Sequence, residues 1–399
     1  MNQKSSFFSK PLALLTAAHA VTDLSQGALP AMLPFLKSTL QLTYTQVGMI
    51  VLTQNLTSSV IQPIFGYVSD KISLPWLIPW SVFMSGLGMA VTGLMPSYLT
   101  LLAVVIFSGL GIAAFHPQSS RSANLISSPE HKGRSMGAFS VGGNLGGALG
   151  SIFITFLLTL PGGLSNTVFF VLPAAIMALL AWRNLSHISP EPVMQAAATK
   201  SAAVNNTKIP WSMLAILLCF IFIRSSIHTG LSTYIPLYYI DYLAGDPLYA
   251  SYLLSAFLVS GVAGTYIGGV CSDYFGRKIV ILFSMLASIP LIFLFQYTTG
   301  ILTVILVALT GLTLISSFAT TVILSHEMMP GNLGMASGLT IGFSIGLGGI
   351  GATILGYIAD HFGIPAIFSL LTILPTAGLV AAYFLPGKIG KTISSHTGG

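Results

Sequence analysis

Residues 66–71 read Gly-Tyr-Val-Ser-Asp-Lys, and residues 269–274 read Gly-Val-Cys-Ser-Asp-Tyr. Each ends a long apolar run, and the copies lie 203 positions apart in a chain of 399 residues. A repeat at half the chain length implies two similar halves, and composition fixes the solvent in which they fold. Hydrophobic residues make up 54% of the chain and charged residues 6%, against about 25% charged in an average soluble domain. A water-facing surface cannot be assembled from so few charges. The 24 Phe and 14 Tyr among runs of Leu, Ile and Val equally exclude a disordered chain. The solvent is lipid.

Apolar stretches of about 20 residues recur along the chain, the length of a helix that crosses a roughly 30 Å hydrocarbon layer. Short alternating strands of the kind that form membrane barrels do not occur. The expected spans are 11–36, 45–69, 75–95, 98–125, 134–159, 165–186, 210–240, 248–271, 279–298, 301–325, 333–359 and 364–386. Lys4, Lys10 and the Ala18-His19-Ala20 run give the first span some likeness to a signal peptide. Asp23 follows, however, and the helix pattern continues to Phe35, so it is read as the first membrane helix. The longest polar connection holds Pro190, Pro192, Asn205 and Asn206. It suggests a six-helix bundle over 1–187, a linker over 188–209 and a second six-helix bundle over 210–399.

Placing the N-terminus in the cytoplasm puts twelve Lys and Arg on the inner connections, Lys71, Lys132, Arg277 and Lys278 among them, and only Lys37 outside. The positive-inside rule favours that orientation, with both termini cytoplasmic. The net charge of +6 is then topological, and no nucleic-acid partner is expected. Cys219 and Cys271 offer neither a disulfide framework nor a metal spacing. His326-Glu327-Met328-Met329-Pro330 starts like a zinc-protease motif but lacks its second His. Metals and cofactors are therefore not expected.

Glycines form two ladders at four-residue spacing: Gly142, Gly146 and Gly150 in the fifth segment, and Gly334, Gly338, Gly342 and Gly346 in the eleventh. Small residues on one helix face let backbones approach in lipid, so both are read as packing faces.

Two six-helix halves, each with a Gly-to-Asp signature after its second helix, resemble the major facilitator superfamily. Gly269, Asp273, Gly276, Arg277 and Lys278 match that family's signature in full, whereas Gly66 and Asp70 are followed by Ile72-Ser73-Leu74-Pro75 in place of the basic tail. The resemblance implies a conformational latch at Gly66, Asp70, Gly269, Asp273, Arg277 and Lys278, a monomer, and a polar pathway lined by the first, fourth, seventh and tenth helices. Phe115-His116-Pro117-Gln118-Ser119-Ser120-Arg121, Gln62-Pro63, and His19 with Asp23 further resemble the branch that exports fosmidomycin. So does Glu327 ahead of Pro330-Gly331 and Gly334-Met335. Gln118 stands where that branch is acidic.

An ionised side chain near the bilayer centre costs about 2.5–3.5 kcal/mol on insertion scales, so each one present has a partner, water or a purpose. Asp23 lies about 18 Å into the first helix and Arg224 about 21 Å into the seventh. His19 and Asp23 share a helix face, as do Arg224 and His228. Asp23, Glu327 and His116 are the candidates for carrying protons. Arg121, Arg224, Gln118, His19 and His228 are the candidates for holding a small-molecule substrate, the arginines by bidentate contact with an anion. The alternatives are a fixed salt bridge from Asp23 to an arginine, and pairing of Arg121 or Arg224 with Asp23 or Glu327.

The function these features imply is proton-coupled efflux of a small antibiotic such as fosmidomycin across the bacterial inner membrane by alternating access. Proton-symport uptake of an anionic metabolite or sugar uses the same fold. A non-transporting receptor has no signalling module to anchor it, and an enzyme has no nucleophile, base and metal cluster.

Overall fold

The first helix, α1 (Lys10–Leu40), starts where Ser9 caps it: the Ser9 hydroxyl accepts the Leu12 N–H, and a proline follows in the first turn. It ends at Gln41, whose left-handed backbone (φ 51°) returns its N–H to the Lys37 carbonyl. The computed structural model describes residues 9–71, 74–127, 132–189, 210–329, 336 and 338–386. Most of the 188–209 connection therefore lies outside the described residues, as do Pro330, Gly331, Gly334 and Met335.

Among the described residues eleven further long helical rods follow, with a short helical turn at Leu185–Ile188. α2 runs from Tyr44–Asn55 through a π turn, Leu56–Val60, to Gln62–Lys71. Next come α3 (Leu77–Thr92), α4 (Tyr98–Ile126), α5 (Lys132–Thr159) and α6 (Gly163–Arg183), the last opening with 3₁₀ turns. α7 (Trp211–Tyr242) ends in a π turn, Tyr238–Tyr242. α8 (Pro247–Phe275), α9 (Arg277–Phe295) and α10 (Ile301–Met328) lead to α11, which joins a π turn at Gly338–Gly342 to Phe343–Phe362, and to α12 (Ile364–Tyr383). Eight of these rods, α4 to α10 and α12, are long and apolar enough to cross a membrane. α3 is apolar but shorter. α1, α2 and α11 carry polar residues or π turns, departures that in membrane helices gather where a pathway runs.

Glycine decides how two of these helices seat. A methyl added at Gly142 would lie 2.5 Å from the Thr16 carbonyl, and methyls at Gly146 and Gly150 would run into the Ala20 and Leu24 carbonyls of α1. The first ladder therefore lets α5 lie directly against α1. The second is different, because Gly342 has open space around its Cα and Gly346 meets only side-chain ends of Val60 and Leu56. The close approaches of α11 come from other glycines: Gly348 and Gly351 against Thr229 and Ser226 of α7, Gly349 against Leu52, and Gly356 against Tyr44. A four-residue period says which glycines share a face, not which face meets a neighbour. The packing nevertheless repeats, α5 on α1 and α11 on α7.

The first six helices meet the last six at the end holding the α1–α2 turn, which the Lys and Arg bias assigns to the outside. Asp360 near the end of α11 accepts from the N–H groups of Tyr44 (2.7 Å) and Thr45 (2.8 Å) and from the Thr45 hydroxyl. Thr43 and Gln46 form a capping box at the same terminus, so Asp360 takes donors that the box leaves over. It also places a negative charge on a helix N-terminus. Beside it Lys37 reaches Asp241 at 3.1 Å and lies over the Tyr44 ring, whose hydroxyl donates to Asp241. Deeper, Ser151 of α5 and Ser255 of α8 share a hydrogen bond, and Ser251 donates to the Ser151 carbonyl.

Candidate functional site

Two polar centres lie inside this frame, one in each set of six helices. The first is built on α1. Asp23 faces His19 one turn before it, with His19 Nε2 3.2 Å from Asp23 Oδ2. His116 of α4 brings its Nε2 to 3.4 Å from the other oxygen, Oδ1. The three side chains are 10%, 15% and 22% exposed for His19, Asp23 and His116, so they border open space.

His19 is locked from behind. Its Nδ1 lies 2.8 Å from the Phe139 carbonyl of α5, and a carbonyl only accepts, so Nδ1 carries a hydrogen. The Phe139 ring stacks on the imidazole at 4.2 Å between centroids. Nε2 then faces Asp23 either as a bare lone pair or as the second N–H of an imidazolium. Two acceptors do not hold 3.2 Å without something positive between them, so this contact requires a shared proton on His19 or on the carboxyl. Asp23 Oδ1, meanwhile, is buried without a hydrogen bond. The ligand atoms of the three residues lie within 4.8 Å of one another, close enough for a small cation, and the proton is the one the hydrogen-bond count already demands.

The neighbour that makes room is Gly143 of α5, where a methyl would collide with His19 Nε2 and stand 2.6 Å from Asp23 Oδ2. Neither Gly143 nor the Phe139 carbonyl gave a signal in the sequence. One is a glycine just off the ladder and the other is backbone. His19, expected to touch substrate, is placed with the proton candidates Asp23 and His116.

The second centre is on α7. Arg224 is 2% exposed and makes no ion pair with any described acid. Asp23 is engaged by the histidines, and Glu327 pairs with Arg277 at 3.2 Å. The expected alternatives for Arg224, a bridge to Asp23 or Glu327, are thus not formed. Its Nη2 donates instead to Ser344 of α11 at 2.6 Å and weakly to Ser225 at 3.4 Å, and its guanidinium lies 5.0 Å from the centroid of Phe318 of α10. His228, one turn on, stacks against Phe257 of α8. Gln118 of α4 is fully buried with neither amide atom partnered. Arg121 lies one turn further along α4 and is partly buried.

At the end away from the α1–α2 turn, the residues expected to form the second copy of the latch come together. Gly276, at φ 94° between α8 and α9, is a position only glycine takes readily. It sets Arg277 to bond Asp273, Ser272 and Glu327. Glu327, expected among proton carriers, thereby sits in this cluster with Arg277, away from Asp23. Lys278 donates to the Tyr383 carbonyl in the last turn of α12. In the first copy Gly66 lies 3.7 Å from Pro117 of α4 when given a methyl. The Asp70 side chain is outside the described residues.

The sequence matches the Major Facilitator Superfamily profile over residues 15–244 and 229–396. The chain belongs to the Major Facilitator Superfamily. It is 35% identical to the fosmidomycin resistance protein of Escherichia coli (strain K12), over 95% of this chain and 93% of that one. It is likewise 35% identical to an uncharacterized MFS-type transporter, YfnC, of Bacillus subtilis (strain 168), over 94% and 92%. Among solved structures it resembles an inward-facing, unoccupied bacterial homologue of the human lysosomal transporter Spinster. The TM-score is 0.75 at 15% identity, covering 96% of this chain and 95% of that one, a likeness of fold. The chain is a multi-pass membrane transporter of this superfamily, not an enzyme, and its ligand is a small molecule.

Proposed function

We propose that this transporter exports a small antibiotic such as fosmidomycin across the bacterial inner membrane in exchange for protons, with both termini in the cytoplasm. The observation that carries the reading is the His19–Asp23–His116 centre: two histidines within ion-pair distance of one carboxylate, midway along α1, bordering open space, and needing one proton between them. Likeness to a fosmidomycin resistance protein over nearly the whole chain supports the cargo.

The cycle follows from where charge can be tolerated. A carboxylate facing two neutral imidazoles is expensive in a low-dielectric interior, and a proton taken from the outer side relieves it. Binding of the drug from the cytoplasm favours release of that proton inward, and the halves close around whichever passenger is bound. The outer contacts through Asp360 and Lys37 hold the inward-open state while the drug enters.

Expression in a fosmidomycin-sensitive strain tests the reading directly. The expected result is a several-fold rise in the inhibitory concentration that Asp23→Asn abolishes at equal membrane abundance. Increased sensitivity, with the drug accumulating inside, would instead assign proton-symport uptake.

A further inference from the structure

The Arg224 centre has an excess of one kind of group. A guanidinium has five N–H donors and no acceptor. Nη2 is committed to Ser344 and Ser225, while Nε is buried with no partner and Nη1 makes no hydrogen bond to a described residue. Ser225 and Ser344 hydrogen-bond one another at 2.6 Å. Whichever serine donates, the hydrogen of the other hydroxyl is left over. The unfilled donors, two guanidinium nitrogens and one hydroxyl hydrogen, outnumber the one serine lone pair left over, around a positive charge that no described carboxylate neutralises.

A charge in this position is costly unless something compensates it. The Phe318 face offers part of that compensation, through the attraction of a cation to an aromatic ring. It fills no hydrogen bond. The missing group is one that brings negative charge and several acceptor atoms in a plane or fork, which is the chemistry of an oxyanion.

We propose that Arg224, Ser225 and Ser344 form the binding site for an oxyanion group, phosphonate, phosphate or carboxylate, of the transported molecule. As a substrate site it rests on the transport reading above. It also divides labour between the halves. Protons are carried on α1 and α4, and the anion is held between α7 and α11, with Phe318 of α10 beneath.

The test uses the purified full-length chain in detergent, with methylphosphonate as probe and its uncharged dimethyl ester as the matched control, measured by equilibrium binding. Wild type is expected to bind the acid and not the ester. Arg224→Gln should weaken binding at least about tenfold, Ser344→Ala about threefold, and Arg224→Lys should fall between wild type and Arg224→Gln. Trp80→Phe, on the exposed face of α3, should bind within about twofold of wild type. Acetate competing with the same dependence on Arg224 supports the site and extends it to carboxylates.

Equal binding of acid and ester, or undiminished binding by a monodisperse Arg224→Gln, overturns the proposal. If Arg224→Gln does not fold, the ester comparison and Ser344→Ala still decide it. The two readings fail separately. Arg224-dependent phosphonate binding without drug resistance in cells would remove the efflux reading alone, and resistance undiminished by Arg224→Gln would remove the anion site alone.

Discussion

At the scale of single residues, the membrane makes chemistry legible. Charged side chains are so scarce here that Asp23 and Arg224 stood out by depth alone, and His19 by its spacing from Asp23. What the sequence could not show is what sits behind them. The Phe139 carbonyl that orients His19 is backbone, present at every position, and Gly143 matters through what it lacks. Gly143→Ala is accordingly the sharpest structural test of the proton centre. Its methyl would displace His19 Nε2 and Asp23 Oδ2 from one another, and such misplacement costs about tenfold or more in rate. Transport should drop by that factor while abundance and thermal unfolding change little. Full activity in Gly143→Ala would show that the 3.2 Å contact is not needed.

Among helices, periodicity carried part of the truth. The ladder of Gly142, Gly146 and Gly150 does face a neighbour, and α1 lies on it. The ladder continuing through Gly342 has the same spacing and no neighbour there, since the contacts of α11 come from Gly348, Gly349, Gly351 and Gly356. A glycine's spacing is local, whereas its partner is set by folding of helices hundreds of residues away. The two positions should separate in measurement. Gly146→Ala forces a methyl into backbone and should cost about 1–3 kcal/mol. Gly342→Ala meets open space and should be neutral or gain up to about 1 kcal/mol from helix propensity. Thermal unfolding in detergent reads both, and equal effects would refute this assignment of faces.

Across the whole molecule, twelve helices in two similar halves were readable from apolar length and the repeated Gly-to-Asp turn, because lipid leaves few alternatives. The conformational state was not readable. It depends on contacts such as Asp360 with Tyr44 and Thr45, more than 300 residues apart in sequence. Those contacts join the two halves at the end holding the α1–α2 turn, so Asp360→Ala should release it. Spin labels at Ser38 and Tyr242, near the C-terminal ends of α1 and α7, should report one short distance in the parent. A longer population should rise about tenfold in the variant, the effect of losing charge-assisted hydrogen bonds. An unchanged distribution would place the closure elsewhere.

Proton exchange for drug is the claim on which the rest depends, and everted membrane vesicles with an acidified interior test it most directly. Adding fosmidomycin outside such vesicles should dissipate the pH gradient as protons leave and drug enters, with no effect in vesicles carrying Asp23→Asn at equal abundance. A gradient untouched by the drug in wild-type vesicles, or dissipated equally by Asp23→Asn, would contradict it.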